Sequence, residues 1–229
     1  MRLHYFGHSA FALENGEHAV LIDPFLKGNP HMKGHSLPAS LKLSTIIATH
    51  GHDDHLGDAP LLAKQHQAPI VAVAELATML AAKGCPTIPC GVGGKIEHPW
   101  GWSRFVPAFH SSSFEGKYAG NAVGVVVHMD GVTVYHAGDT CIFGDMKLIG
   151  ELYRPHIALL PIGSCFTMDI SEAVQAAKLI GPKWAVPMHF NTFPKVNADP
   201  LQFKAEAEAN TACQVHIMQP LDTWTVTAE

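Results

Sequence analysis

The segment Thr49-His50-Gly51-His52-Asp53-Asp54-His55-Leu56-Gly57-Asp58 concentrates side chains that bind metal ions. Imidazole and carboxylate donors with an open position are what a catalytic zinc ion takes. Ile46, Ile47 and Ala48 read as a buried strand that delivers the chain to His50. Alternate side chains of an extended segment share a face, so His50 and His52 can grip one ion, and Gly51 leaves room for the backbone to bend. Asp54 and His55 follow where a helix is predicted to begin, and they point to the opposite side of a small cavity. Donors packed this densely can serve two ions rather than one. A single short segment cannot close a coordination sphere, so further ligands are sought at other strand ends. His110 ends the apolar run Phe105–Phe109, Asp139 lies in Tyr135-His136-Ala137-Gly138-Asp139-Thr140, and His189 ends Trp184–Met188.

The elements that must position these groups are legible from pattern. Leu3–Glu14 and Glu17–Asp23 flank Asn15-Gly16, and Ala122–Met129 and Val132–Gly138 flank Asp130-Gly131. Such dipeptides tolerate positive φ and signal hairpins. Each hairpin's second strand leads to an aspartate, Asp23 or Asp139, a faint echo between the two halves of the chain. Further strands are predicted at Thr45–Thr49, Ile70–Ala74, Phe105–Phe109, Ile157–Ile162, Trp184–Met188 and Val215–Met218. Helices are predicted at Asp58–His66, Glu75–Lys83, Gly144–Tyr153, Ser171–Ile180 and Pro200–Ala209. Asp169 with Glu172 caps the fourth and Gly181-Pro182 stops it, while Asp199-Pro200 opens the fifth. Alternating strands and helices make the class α/β.

Composition narrows the function classes. The 229 residues are 47% hydrophobic and 15% charged, which suits a packed core rather than a disordered chain, and residues 1–229 read as a single domain. Pro155–Met168 is the longest run free of Asp, Glu, Lys and Arg, short of the roughly 20 apolar residues that span a membrane. The net charge of −5 and the scattered Lys and Arg give no basic patch for nucleic acid. Five cysteines, Cys85, Cys90, Cys141, Cys165 and Cys213, read as buried free thiols of a cytoplasmic protein. Sixteen histidines against fifteen Lys and Arg is the anomaly, and it points to metal.

The order H-x-H-x-D-H, a distant His, Gly-Asp-Thr and a last His resembles the metallo-β-lactamase superfamily, and the likeness spans Gly7-His8-Ser9 to His189. With Phe6-Gly7-His8-Ser9, Leu160-Pro161-Ile162-Gly163, Phe166-Thr167-Met168 and His189-Phe190-Asn191-Thr192-Phe193-Pro194, it resembles the small branch of metal-dependent hydrolases related to ascorbate-6-phosphate lactonases. The resemblance implies a four-layer αββα sandwich with the metal site at one edge of the two sheets. It implies that His50, His52 and His110 bind one metal, that Asp54, His55 and His189 bind a second, and that Asp139 bridges them. The two divalent ions are expected to be Zn2+, although Mn2+, Fe2+, Ni2+ and Co2+ accept the same donors.

The implied enzyme is a binuclear hydrolase that uses a metal-bridging hydroxide to cleave an ester, lactone or phosphodiester bond of a small molecule. Asp54 and Asp139 are expected to orient that nucleophile. His8 is expected to donate a proton, bind substrate or support a ligand, and His136 to contact the site. Asp23 is expected to hold the free N–H of a ligand histidine. Asn191 and the serines after His110 are expected in turns, and Lys27–Leu37, with His31 and His35, as a loop over the site. The alternative is a non-catalytic metal-binding or sensing protein on the same fold. β-Lactamases commonly carry Cys where Asp139 stands, and diiron oxidases carry Glu where His52 stands, so neither activity is expected. The apolar content also admits a homo-oligomer.

Overall fold

The first half of the chain forms β1 (Arg2–Tyr5), β2 (Phe11–Glu14), β3 (Ala19–Ile22), β4 (Leu43–Ile47), β5 (Ile70–Val73) and β6 (Thr87–Cys90). Its helices are the single turn α1 (Asp53–Leu56), α2 (Ala59–His66) and α3 (Ala74–Ala81). The second half forms β7 (Lys95–His98), β8 (Gly101–Pro107), β9 (Ser113–Phe114), β10 (Lys117–Tyr118), β11 (Val123–Met129), β12 (Val132–His136), β13 (Ile157–Pro161), β14 (Trp184–Met188), β15 (Gln214–Val215) and β16 (Thr223–Thr225). Its helices are α4 (Met146–Tyr153), α5 (Ile170–Ile180) and α6 (Pro200–Asn210). This computed structural model describes residues 1–228.

Two seven-stranded mixed sheets result, in the orders β16-β1-β2-β3-β4-β5-β6 and β15-β14-β13-β12-β11-β8-β7. Both begin with antiparallel strands around a hairpin and continue as parallel strands, β3 to β6 in one sheet and β12 to β15 in the other. One apolar cluster runs between the sheets and includes Leu3, Phe11, Ile46, Val71, Val125, Tyr135, Leu159 and Val186. Burying each such side chain contributes about 1.5–3 kcal/mol before conformational entropy is counted. Polar ties cross the same gap, from Trp100 Nε1 to Thr45 Oγ1 at 3.0 Å and from the Val123 amide to the Thr49 carbonyl at 3.0 Å. With helices outside each sheet, the architecture is the four-layer αββα sandwich.

Local chemistry explains the elements. Asp130 and Gly131 have φ of 51° and 76°, which closes the β11–β12 hairpin between Met129 and Val132 as a two-residue turn. The Asp169 carboxylate accepts the Glu172 amide, and the Glu172 carboxylate accepts the Asp169 amide, starting α5 with a capping box worth about 1 kcal/mol. β13 is buried throughout, as a parallel strand covered on both faces should be. Pro187 sits in β14 beyond Trp184 and Ala185, where β15 has stopped pairing, so its missing N–H leaves no ladder bond unmade.

Some expectations are corrected. Leu3–Glu14 is not one strand: Gly7 and His8 both adopt positive φ, and the chain reverses between β1 and β2. Val215–Met218 is strand only at Gln214–Val215, because the next residues leave the ladder. β6, β7 and β16 are strands that the pattern did not announce, since Pro89, or charges at Lys95 and Glu97, interrupt their apolar character at sheet edges. All five cysteines are free, but Cys141 and Cys165 are exposed, so the buried-thiol expectation holds only for Cys85, Cys90 and Cys213. No helix among the described residues is long and apolar enough to cross a membrane.

Candidate metal centre

β4 ends at Ile47, and the chain enters the site as Thr49-His50-Gly51-His52 before α1 lifts Asp54 and His55 onto its far side. A side chain at Gly51 would meet the Ser113 carbonyl at 2.8 Å, so only glycine passes here. Asp23, one residue past β3, organises the segment. It accepts the Thr49 amide at 2.8 Å, the Thr49 hydroxyl at 2.7 Å and His55 Nδ1–H at 2.7 Å. Because the Thr49 hydroxyl gives its proton to Asp23, it accepts from His50 Nδ1 at 3.1 Å. Both histidines are thereby fixed with Nε2 turned to the centre. The expected part of Asp23 is thus its geometry, while the part of Thr49 was missed; its place directly before a ligand-type histidine was the signal.

The second half supplies donors from separate strand ends. His110 follows β8, His189 follows β14, and Asp139 follows β12 after Gly138. A side chain at Gly138 (φ 64°) would lie 2.6 Å from the Val123 carbonyl, so this tight turn also requires glycine. Asp139 Oδ1 lies 3.1 Å from His55 Nε2, and Oδ2 lies 3.2 Å from His189 Nε2 and 3.5 Å from His110 Nε2. The backbone stores strain at the site: His8, Asp23 and His189 have φ of 57°, 47° and 54°. Such non-glycine conformations cost on the order of 1–3 kcal/mol each.

All seven expected metal-ligand residues come together, in three overlapping groups whose candidate donor atoms lie within 4.8 Å of one another. One is His50, His52 and His110; one is His50, His55 and Asp139; one is Asp54, His55 and His189, joined by His8. The donors suit cations rather than each other. His55 Nε2, Asp139 Oδ1 and both His189 ring nitrogens are buried with no hydrogen-bond partner, although Asp139 and His55 are close. Buried polar atoms left so are costly unless an ion satisfies them. The site therefore fits divalent metal held by imidazole and carboxylate.

The electrostatics point the same way. Burial pushes His50 far below the usual imidazole range, with His55 adding to the effect. Burial also lowers His8 to about 4, against the opposing pull of Asp54. Burial would lower His55 too, but Asp139 and Asp23 outweigh it and hold this ring well above its ordinary value. Burial alone would raise Asp139 and Asp54; His55 with His189 pulls the first far down, and His8 with His55 pulls the second down.

The other expected residues divide. His8 is buried, with Nδ1 2.9 Å from Thr192 Oγ1 and Nε2 3.2 Å from Asp54 Oδ2. His136 does not join the cluster, which corrects the catalytic expectation. Its Nε2 donates to the Ser9 carbonyl at 2.9 Å and its Nδ1 accepts the Gly138 amide at 3.1 Å, so both nitrogens are spent on backbone. Asn191 Oδ1 accepts the Ala198 amide within its own loop, whereas Ser112 Oγ accepts the Gly51 amide across the site and Ser113 lies in β9 rather than in a turn. The segment with His31 and His35 packs Asn29 and His31 against the Phe6-Gly7 turn that precedes His8. From Leu26 to Leu41 it lines a cavity of about 870 Å³ against Ala19, Leu21, Leu61 and Leu62, with none of the donors in its walls.

Comparison with known proteins places this geometry. Residues 2–189 match the family described as "Beta-lactamase superfamily domain". A metal-dependent hydrolase (UPF0173) of Desulforamulus reducens is 45% identical over 225 residues, covering 96% of this chain and 97% of that one. Its namesake in Archaeoglobus fulgidus is 44% identical over 230 residues, 98% of both chains. Among solved structures, Igni18, a metallo hydrolase of Ignicoccus hospitalis, is 39% identical and superposes with a TM-score of 0.89 over 99% of both chains.

Proposed function

From the fact that the chain belongs to the β-lactamase superfamily, alongside the UPF0173 metal-dependent hydrolases, we propose that it is a two-metal hydrolase cleaving an ester, lactone or phosphodiester bond of a small molecule. The observation that carries this reading is the convergence of donors from both halves into adjoining groups, with buried Asp139 in contact with histidines of both. In it, His50, His52 and His110 would hold one ion and Asp54, His55 and His189 the other, with Asp139 shared between them. Zn2+ is the ion these donors suit best, and Mn2+, Fe2+, Ni2+ and Co2+ are the competitors.

Bound divalent ions supply an activated water at neutral pH and stabilise negative charge on the attacked group. The chain's own groups do the rest. Asp23 and Thr49 fix His50 and His55 in one tautomer and one orientation, so the centre is organised before substrate arrives. The Asp139 carboxylate is buried among the histidines and keeps its negative charge, so it orients the attacking water rather than carrying protons. Asp54 is the half-open carboxylate, its side chain 32% exposed, and because His8 and His55 keep it charged it too orients that water. Water as nucleophile makes a covalent intermediate unnecessary, so Cys141, Cys165 and Ser164 need play no part. The five free thiols support a reducing, cytoplasmic setting, and the shared core of the two sheets supports one domain.

The test is metal content by elemental mass spectrometry, wild type beside Asp139→Ala and His50→Ala, followed by turnover of a lactone and phosphodiester panel. About two equivalents in the wild type, fewer in both variants, with turnover that follows the metal, is the expected result. A wild type that retains no metal and takes none up on reconstitution overturns the reading.

A further inference from the structure

The two sheets are built to one plan. Counting inward from the outer antiparallel edge, β1 corresponds to β8, β2 to β11, β3 to β12, β4 to β13 and β5 to β14, with the same antiparallel and parallel pairings throughout. His110 lies three residues past the end of β8 at Pro107, and His8 lies three residues past the end of β1 at Tyr5. These two histidines thus follow corresponding strands, offset by two residues in sheet register, and each joins a different donor group. From this, and resting on the two-metal reading above, we infer that His8 is itself a metal ligand: its Nε2 completes the Asp54, His55 and His189 group as His110 completes that of His50 and His52.

The surroundings of His8 are those of a ligand. The ring is fully buried, and its centroid lies 4.0 Å from that of His189 and 5.5 Å from that of His55. Its backbone is held at φ 57°, and its carbonyl is clamped by the His189 amide at 2.8 Å and the Tyr5 hydroxyl at 3.2 Å. Thr192 Oγ1 sits 2.9 Å from Nδ1, placed to accept its proton and leave the Nε2 lone pair for the centre. That repeats the way Thr49 and Asp23 take Nδ1–H of His50 and His55. A ligand imidazole typically donates its other N–H to such a partner.

The consequence is an unequal pair. The group with His8 has one more protein donor than the group with His110, and its histidines are more deeply buried. It therefore binds its ion more tightly and fills first. The His50, His52 and His110 group keeps the open positions at which substrate enters.

The experiment is Co2+ titration of the metal-free protein, followed by visible absorption and by competition with a chelator. Wild type, His8→Gln, His8→Ala, Thr192→Val and His52→Ala are compared. Gln keeps a polar side chain that can hydrogen-bond Thr192 but supplies no imidazole. Both His8 variants are expected to weaken the tighter class by about 100-fold or more, Thr192→Val to weaken the same class by about 10–100-fold, and His52→Ala to weaken the other class. The visible spectrum of the first equivalent should intensify in the His8 variants as the ion loses a ligand. Melting of each metal-free variant identifies any that fail to fold. In that event Thr192→Val and a hyperfine-shifted His8 Nδ1 proton in the Co2+-loaded wild type decide the assignment. Unchanged affinity and spectrum in His8→Gln, or no shifted His8 proton, overturn it. A wild type that binds a single ion sinks the two-metal reading, while the fate of that ion's affinity in His8→Gln still decides the part of His8.

Discussion

The two halves of the molecule share a plan and use it differently. Asp23 and Asp139 follow the corresponding strands β3 and β12, yet one supports the site and the other enters it. Asp23 comes directly after its strand and spends both oxygens on Thr49 and His55. Asp139 comes two residues later in its connection, after the Gly138 turn, and keeps Oδ1 without a hydrogen bond among the histidines. Two residues of loop are enough to convert an organising carboxylate into one that faces the histidine cluster. The outer layers differ as well. Where the second half crosses from β12 to β13 with α4, the first crosses from β3 to β4 with a segment whose only helical turn is Pro30–Met32, over the large apolar cavity.

The largest expected effect separates the two aspartates. Asp139→Ala is expected to lower turnover by about 1,000-fold or more, since it removes a charge facing the reacting atoms. Asp23→Asn should cost about 10–100-fold in metal affinity while leaving stoichiometry restorable at high metal concentration. Equal defects on both counts would break the distinction between them. A second difference is read by pH. Asp139 and Asp23 hold His55 well above the ordinary imidazole range, whereas burial holds His8 and His50 below it. An ion must displace the His55 proton, so metal affinity should rise with pH, by roughly tenfold per unit while one proton is released. Calorimetry in buffers of different ionisation enthalpy, from pH 6 to 8, measures that proton; uptake with none released would contradict the assignment. The smallest effect concerns the outer layer. Amides from Lys33 to Leu41 should exchange with deuterium faster than those of Ile149–Tyr153, because few of them are hydrogen bonded and they lie over a cavity. Equal protection would mean that the missing helix costs the first half nothing.

Much of the site was legible because its donors are compressed. His50, His52, Asp54 and His55 fall within one strand end and one helical turn, where local geometry already decides which side each takes. His110, Asp139 and His189 were found because apolar strands ended at them. His136 shows where this reasoning stops. It also lies at the end of a strand, but its ring turns to the Ser9 carbonyl, and which face a strand-end residue takes depends on the partner across the gap. The edge strands β6, β7 and β16 were invisible for a related reason. Their apolar pattern is weak, and pairing with a neighbour distant in sequence makes them strands, as Leu3 with Trp224 does for β16.

By itself the sequence determined the donor types, the hairpins, the α/β alternation and the caps of α5 and α6, all of which depend on residues within a few positions of one another. Only the tertiary structure decided which nitrogens of His50 and His55 are free, that Asp23 supports while Asp139 enters, and that His8 lies against Thr192 and His189. Those outcomes require contacts such as His8 with Thr192 and His189, which are local in space and remote along the chain. A strand's own periodicity carries no information about them until the sheets have closed on each other.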